Sequence, residues 1–211
     1  MKAIIFDLQG TLVENGVFPS PIKQVRFILG IKRDFREYVT LFESVFMTST
    51  HTTLSEGFKA VADAFNVKIT PAINERLIGM WNKNKLLSKP FPETIDVLEK
   101  LKGKFVLVLV ANIDCFGKDI ITKFNLQKYF NKIYLSCDIG ILKTNPEFFK
   151  NILNDISLNP EDVLMVGDSI DSDMTPASKL NINTILIDRL NRQDYPNKIR
   201  TLNDLTNILN V

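Results

Sequence analysis

The chain has 211 residues, enough for one substantial core or for a core with a small appended unit. Hydrophobic residues make up 45% and charged residues 24%, a globular balance that excludes a disordered chain. The 26 basic and 24 acidic residues are dispersed without a basic stripe, so neither nucleic acid nor a membrane is an expected partner.

Two cysteines, Cys115 and Cys137, are too few for a disulfide framework in a chain of this size. The first residues, Lys2-Ala3-Ile4-Ile5-Phe6, read as a buried strand and not as a signal peptide. The longest apolar run, residues 105–111, is far too short to span a bilayer. A reducing, cytoplasmic setting is therefore expected.

In chain order, residues 2–8 predict a short strand, followed by turn chemistry at Gly10 and Asn15-Gly16. From 21 to 88 strand patterns vanish. Phe35, Tyr38, Val39, Phe42, Val45 and Phe46 recur at helical spacing, as do Leu54, Phe58, Val61, Ala62 and Phe65, and then Ile73, Leu77, Met80 and Trp81. Ser55 and Thr70 are predicted N-caps, with Pro71 suited to a first turn, giving three or four helices. Beyond Lys89-Pro90-Phe91-Pro92, helices predicted at about 93–101, 116–125, 146–155 and 172–180 alternate with strands at 105–110, 132–136, 163–166 and 184–188. Such alternation predicts an α/β fold with a parallel sheet covered on both faces. The expected domains are an α/β core at 1–16 and 89–211 and an all-helical unit at 17–88.

Ligands of an open parallel sheet bind beyond the carboxyl ends of its strands. Those ends carry Asp7, Ala111-Asn112, Ser136-Cys137-Asp138 and Gly167-Asp168-Ser169. A concentration of carboxylates there suits a hard cation such as Mg²⁺, although any single Asp in a βα loop is more often a helix cap.

Phe6-Asp7-Leu8-Gln9-Gly10-Thr11-Leu12 resembles motif I of the haloacid dehalogenase (HAD) superfamily. Gly167-Asp168-Ser169 with Asp173 is similar to its motif IV, and Gly140-Ile141-Leu142-Lys143, with Pro146 after it, to motif III. The resemblance implies a doubly wound, Rossmann-like core with a helical cap inserted after motif I, and a Mg²⁺-dependent phosphatase of a small phosphorylated metabolite. Asp7 would be the nucleophile, giving an aspartyl-phosphate, and Lys143 would neutralise it. Asp7, the carbonyl of Gln9, Asp168 and Asp173 would hold the metal. Gln9, Gly10, Ala111, Asn112 and Lys143 would bind substrate, with exposed amides around Gly10 and Thr11 donating to phosphate oxygens.

Two positions depart from the family pattern. Gln9 stands where its phosphatases carry an acid/base Asp, a loss that typically costs about 10²–10⁴ in rate. Ala111 stands where motif II has Ser or Thr, with the Asn112 amide as a partial substitute. A slow phosphatase is therefore expected. The alternatives are a 2-haloacid dehalogenase, a phosphonate hydrolase using Lys23, Lys59, Lys83 or Lys85 as Schiff base, or an impaired, regulatory protein that binds a phosphorylated ligand. His51 (the only histidine) and Asp114 are minor candidates for the missing acid, Arg33 and Arg36 for an anion contact, and Cys115 carries no mark of activation.

Overall fold

The computed structural model describes residues 1–211. Strand β1 (Ala3–Asp7) leads through a tight loop to β2 (Val13–Glu14). Four helices follow: α1 (Pro21–Ile28), α2 (Phe35–Phe46), α3 (Leu54–Ala64) and α4 (Pro71–Leu87). The chain returns through β3 (Lys89–Pro90), α5 (Thr94–Leu101), β4 (Val106–Ala111), α6 (Asp119–Lys123), β5 (Lys132–Leu135) and α7 (Ser136–Ile139). It ends with α8 (Pro146–Ile156), β6 (Val163–Gly167), α9 (Thr175–Ser178), β7 (Asn183–Ile187), β8 (Lys198–Ile199) and α10 (Leu202–Leu209).

Six strands form one parallel sheet in the order β5-β4-β1-β6-β7-β8. The chain runs outward from β1 to β4 and β5, then crosses back to β6 on the other side. The order therefore reverses between β1 and β6, and the carboxyl ends of these two strands flank the crevice of a doubly wound sheet.

Strand β1 is buried on both faces, as its unbroken Ala-Ile-Ile-Phe run requires. Ile4 and Phe6 join a core cluster with Leu98, Leu109, Tyr129 and Leu205. Ala3 and Ile5 point the other way, into a second cluster with Phe148, Phe149, Ile152 and Met174. This period-two division makes a one-residue register slip prohibitive, because it would exchange the contents of both layers.

The four inserted helices have a cluster of their own, built on Tyr38, Phe42, Phe46, Phe58, Val61, Leu77 and Trp81. Phe46 stacks on Phe58 with centroids 5.0 Å apart and meets the Trp81 ring edge at 5.1 Å. Leu142, from the loop after α7, completes that cluster, so the insertion is packed against the α/β part. The two connections are clamped side by side where β2 pairs antiparallel with β3.

Local chemistry explains where prediction and structure part. Thr53, not Ser55, caps α3, its hydroxyl accepting from the Glu56 amide. Thr70 does cap α4, with Pro71 in its first turn. The helix expected at 116–125 shrinks to α6, because Asp114 ties down the Phe116 amide and 114–117 close as a turn. The helix expected at 172–180 is a π-turn over Ile170–Met174 followed by the short α9. Residue 136, expected to end a strand, starts α7.

Candidate active site

Asp7 is the last residue of β1, paired in register with Val110 of β4. The chain then folds back sharply. Gly10 adopts φ +82°, and its amide donates to the Val13 carbonyl at 2.8 Å. A Cβ at Gly10 would lie 2.0 Å from Asp168 Oδ2, so only glycine allows this loop to press against the loop after β6. Gly167 does the same for Asp173, whose Cγ would lie 2.4 Å from an added Cβ. The two glycines bring three carboxylates together.

Asp7, Asp168 and Asp173 each offer an oxygen within 4.8 Å of the others. Lys143, on the loop between α7 and α8, reaches into the group. Its Nζ donates to Asp7 Oδ1 at 2.6 Å and to Asp173 Oδ1 at 2.5 Å, with all three side chains buried. The remaining Asp7 oxygen accepts from the Thr11 hydroxyl at 3.1 Å, and the remaining Asp173 oxygen from the Ser169 amide at 3.0 Å. The π-turn places Asp173 one turn beyond Asp168 with its carboxylate directed inward; such turns recur at functional sites.

One lysine among two buried carboxylates and the half-buried Asp168 leaves an excess of negative charge. Burial, then the Asp7 and Asp173 charges, raise the Asp168 carboxyl well above its ordinary range. Burial also raises Asp173, to about 6, against the pull of Lys143. Burial alone would lower Lys143, but the Asp173 and Asp7 carboxylates overcome it and hold the ammonium charged. Carboxylates so short of counter-charge form a donor set fitted to a hard divalent cation, and their all-oxygen chemistry suits Mg²⁺.

Asp7, Asp168 and Lys143 form the floor of a cavity of about 660 Å³ between the sheet and the helical insertion, ample for a small metabolite, and Asp173 is buried outside its lining. Gln9 and Asn112 also line it, whereas Ala111 lies beneath, buried at the end of β4. Gln9 Oε1 is buried and has no hydrogen-bond partner. The Asn112 amide is engaged at both ends: its Oδ1 accepts from the Lys143 backbone amide at 2.9 Å, and its Nδ2 donates to Glu43 Oε2 at 2.8 Å. It orders the floor, and the second N–H of its Nδ2 stays uncommitted.

The minor candidates divide sharply. Asp114 lines the cavity, but its two oxygens accept from Trp81 Nε1 at 3.3 Å and from the Phe116 amide at 3.0 Å. Burial raises its carboxyl above the ordinary range. His51 stacks on Phe46, its Nε2 lies 3.2 Å from the Val45 carbonyl, and it does not line the cavity. Cys115 donates to the His51 carbonyl. Arg36 reaches the cavity rim paired with Asp171, while Arg33 lies over the Phe65 ring, away from it. Of the four lysines considered, Lys23 and Lys85 line the cavity and Lys59 and Lys83 do not.

Three contributors escaped the sequence reading. Glu43 descends from α2 onto Asn112. Arg189, just past β7, donates to the Gly10 and Thr11 carbonyls at 3.3 and 2.8 Å and pairs with Glu93 at 2.7 Å, bracing the loop after Asp7. Gln193 donates to the Asp168 carbonyl at 3.0 Å. Arg189 could have been found by the rule that found Asp7, since it too follows the end of a parallel strand.

Residues 1–181 match the family of haloacid dehalogenase-like hydrolases. The glyceraldehyde 3-phosphate phosphatase of Methanocaldococcus jannaschii is 26% identical over 89% of this chain and 85% of its own length. The phosphoglycolate phosphatase of Aquifex aeolicus is 26% identical over 88% and 84%. The crystal structure of a HAD phosphatase from Thermococcus onnurineus superposes with a TM-score of 0.65 at 23% identity, covering 99% of this chain and 98% of that one. No helix is long and apolar enough to cross a membrane. With its parallel six-stranded sheet and its phosphatase relatives, this chain belongs to the haloacid dehalogenase-like hydrolase family.

Proposed function

We propose that this protein is a Mg²⁺-dependent phosphatase of a small phosphorylated metabolite, working through an aspartyl-phosphate on Asp7. The observation that carries the reading is the group of Asp7, Asp168 and Asp173 around Lys143 at the reversal point of the sheet. Residues 1–16 and 89–211 act as the core, and residues 17–88 as a cap over the cavity.

In this mechanism the free energy of approach is the first problem, because a carboxylate and a phosphate dianion repel each other. Asp7, Asp168, Asp173 and the Gln9 carbonyl would hold Mg²⁺, which when bound supplies charge neutralisation between nucleophile and phosphoryl group. Lys143 supplies a fixed positive charge 2.6 Å from the attacking carboxylate, already desolvated and needing no reorganisation. Thr11 holds the other Asp7 oxygen and so aims the free lone pair. The Gly10, Leu12 and Val13 amides, expected to face a phosphate, are spent inside the turn on the Val13 and Leu8 carbonyls and fix the shape of the loop beside the transferring group. The insertion, packed over the cavity, excludes bulk water from the covalent intermediate.

The metal-binding carboxylates also weigh against the 2-haloacid dehalogenase alternative, whose chemistry needs no cation. Beryllium fluoride with Mg²⁺ tests the reading: a beryllofluoride adduct on Asp7 in a crystal structure supports it, and an empty Asp7 with chloride release from 2-chloropropionate refutes it.

A further inference from the structure

A phosphatase with Gln9 beyond its nucleophile needs another group to protonate the leaving oxygen and to deprotonate water. The cavity contains one carboxylate suited to this and otherwise unassigned. Glu43 lies on the inner face of α2, one turn after Val39, and both line the cavity. Its single hydrogen bond is the one that Oε2 accepts from Asn112, leaving Oε1 free toward the cavity. Asn112 in turn holds the backbone of Lys143, whose ammonium rests on Asp7. A hydrogen-bonded relay through Asn112 and Lys143 thus ties Glu43 to Asp7 across the cavity they both line.

The other candidates are committed elsewhere. Both Asp114 oxygens are occupied, Asp171 is exposed and paired with Arg36, and His51 lies outside the cavity. Gln9 Oε1, buried without a donor, can accept from a water or a substrate hydroxyl but cannot take its proton.

We propose that Glu43, carried by the helical insertion, is the acid and base of the reaction in place of the carboxyl that Gln9 lacks. In the first step an Asp7 oxygen attacks phosphorus and the P–O bond to the leaving group breaks. The proton on Glu43 passes to the departing oxygen, giving an alcohol and a Glu43 carboxylate. In the second step water attacks the aspartyl-phosphate and the P–O bond to Asp7 breaks. One water proton returns to Glu43, the Asp7 carboxylate is regenerated, and phosphate leaves.

The surroundings give Glu43 the acidity this role needs. Burial raises its carboxyl to about 7, with Lys143 and the Asn112 hydrogen bond pulling down and Asp173 and Asp7 pushing up. The other charged groups around the cavity are Asp168, Asp114, Lys23, Lys85 and the Arg36–Asp171 pair.

The inference rests on the phosphatase reading, and leaving groups separate the two. Glu43→Gln retains an acceptor for Asn112 but has no proton to exchange. Wild type and variant are compared with Mg²⁺ on p-nitrophenyl phosphate, whose leaving group needs no proton, and on glycerol 3-phosphate, whose leaving group does. The variant should phosphorylate Asp7 from the aryl ester at near wild-type rate in a rapid-quench burst. It should lose about 10²-fold or more in kcat on the alkyl ester. Adding Gln9→Asp to the variant should restore alkyl ester turnover. Equal losses in the rate of Asp7 phosphorylation from the two esters, no loss of alkyl ester turnover, or no recovery with Gln9→Asp would overturn the assignment of Glu43 while leaving the phosphatase reading intact. A wild-type protein that never labels Asp7 from either ester removes that reading, and the role of Glu43 with it.

Discussion

Replacing Lys143 by Met keeps most of the buried stem and deletes one charge. At separations of 2.5–2.6 Å and an effective dielectric near 20, each of its two ion pairs is worth roughly 6 kcal/mol of Coulomb energy before desolvation. Desolvation offsets most of this, and unpairing a buried charge typically costs about 3–5 kcal/mol net. For a chain of this length that corresponds to a fall in Tm of roughly 10 °C. The size of the loss should depend on pH with a definite sign. Asp168 and Asp173 have native pKa values raised above their unfolded ones, so the favourable protonated state is present in acid and lost as pH rises through the raised values. Without Lys143 both rise further, and the variant should lose more stability at about pH 8 than at about pH 5. Mg²⁺ should recover part of the loss at the higher pH, because a bound cation replaces the missing charge. Urea unfolding of both proteins at the two pH values, in EDTA and in Mg²⁺, measures all three effects. A loss that is the same at both pH values and indifferent to Mg²⁺ would refute the electrostatic account, leaving only the packing of the lysine stem.

Gly10→Ala places a methyl against Asp168 and forces a positive φ on alanine, so Mg²⁺ affinity by titration calorimetry should fall at least tenfold; an unchanged affinity would detach Asp168 from the metal. Arg189→Ala removes the brace on the loop after Asp7 and a guanidinium 3.4 Å from the Phe91 ring centre, and should cost about 2–3 kcal/mol in urea unfolding, against no change if the loop holds itself. Glu43→Gln should be more stable than wild type at about pH 8 and equal to it at about pH 4, because a native pKa raised from 4.5 to about 7 costs about 3 kcal/mol once the group must ionise. A pH-independent difference would place Glu43 in water.

What was legible in the sequence follows from which interactions are local. Strands β1, β4 and β6 are unbroken apolar runs between turn residues, and their ends carry Asp7 and Asp168 directly. The caps at Thr53 and Thr70 depend on side chains three residues from their partners, a range over which Ser55 and Thr53 compete almost equally. Strand β8 has two residues and exists only because β7 offers its edge, and α10 follows from it; neither has a pattern long enough to stand alone. Glu43 was hidden for a different reason. On a helix with buried Tyr38, Phe42 and Phe46, a glutamate next to the stripe reads as solvated face. The α/β part, more than sixty residues away in sequence, turns that face into a cavity wall.

Every step proposed for this protein depends on covalent chemistry at Asp7. The direct measurement is a rapid acid quench during turnover with Mg²⁺ and p-nitrophenyl phosphate, followed by mass mapping of the tryptic peptide covering residues 3–23. A phosphoryl group is expected on that peptide, located at Asp7, and should disappear in Asp7→Asn together with turnover. Steady turnover with that peptide never modified, or undiminished in Asp7→Asn, would contradict it.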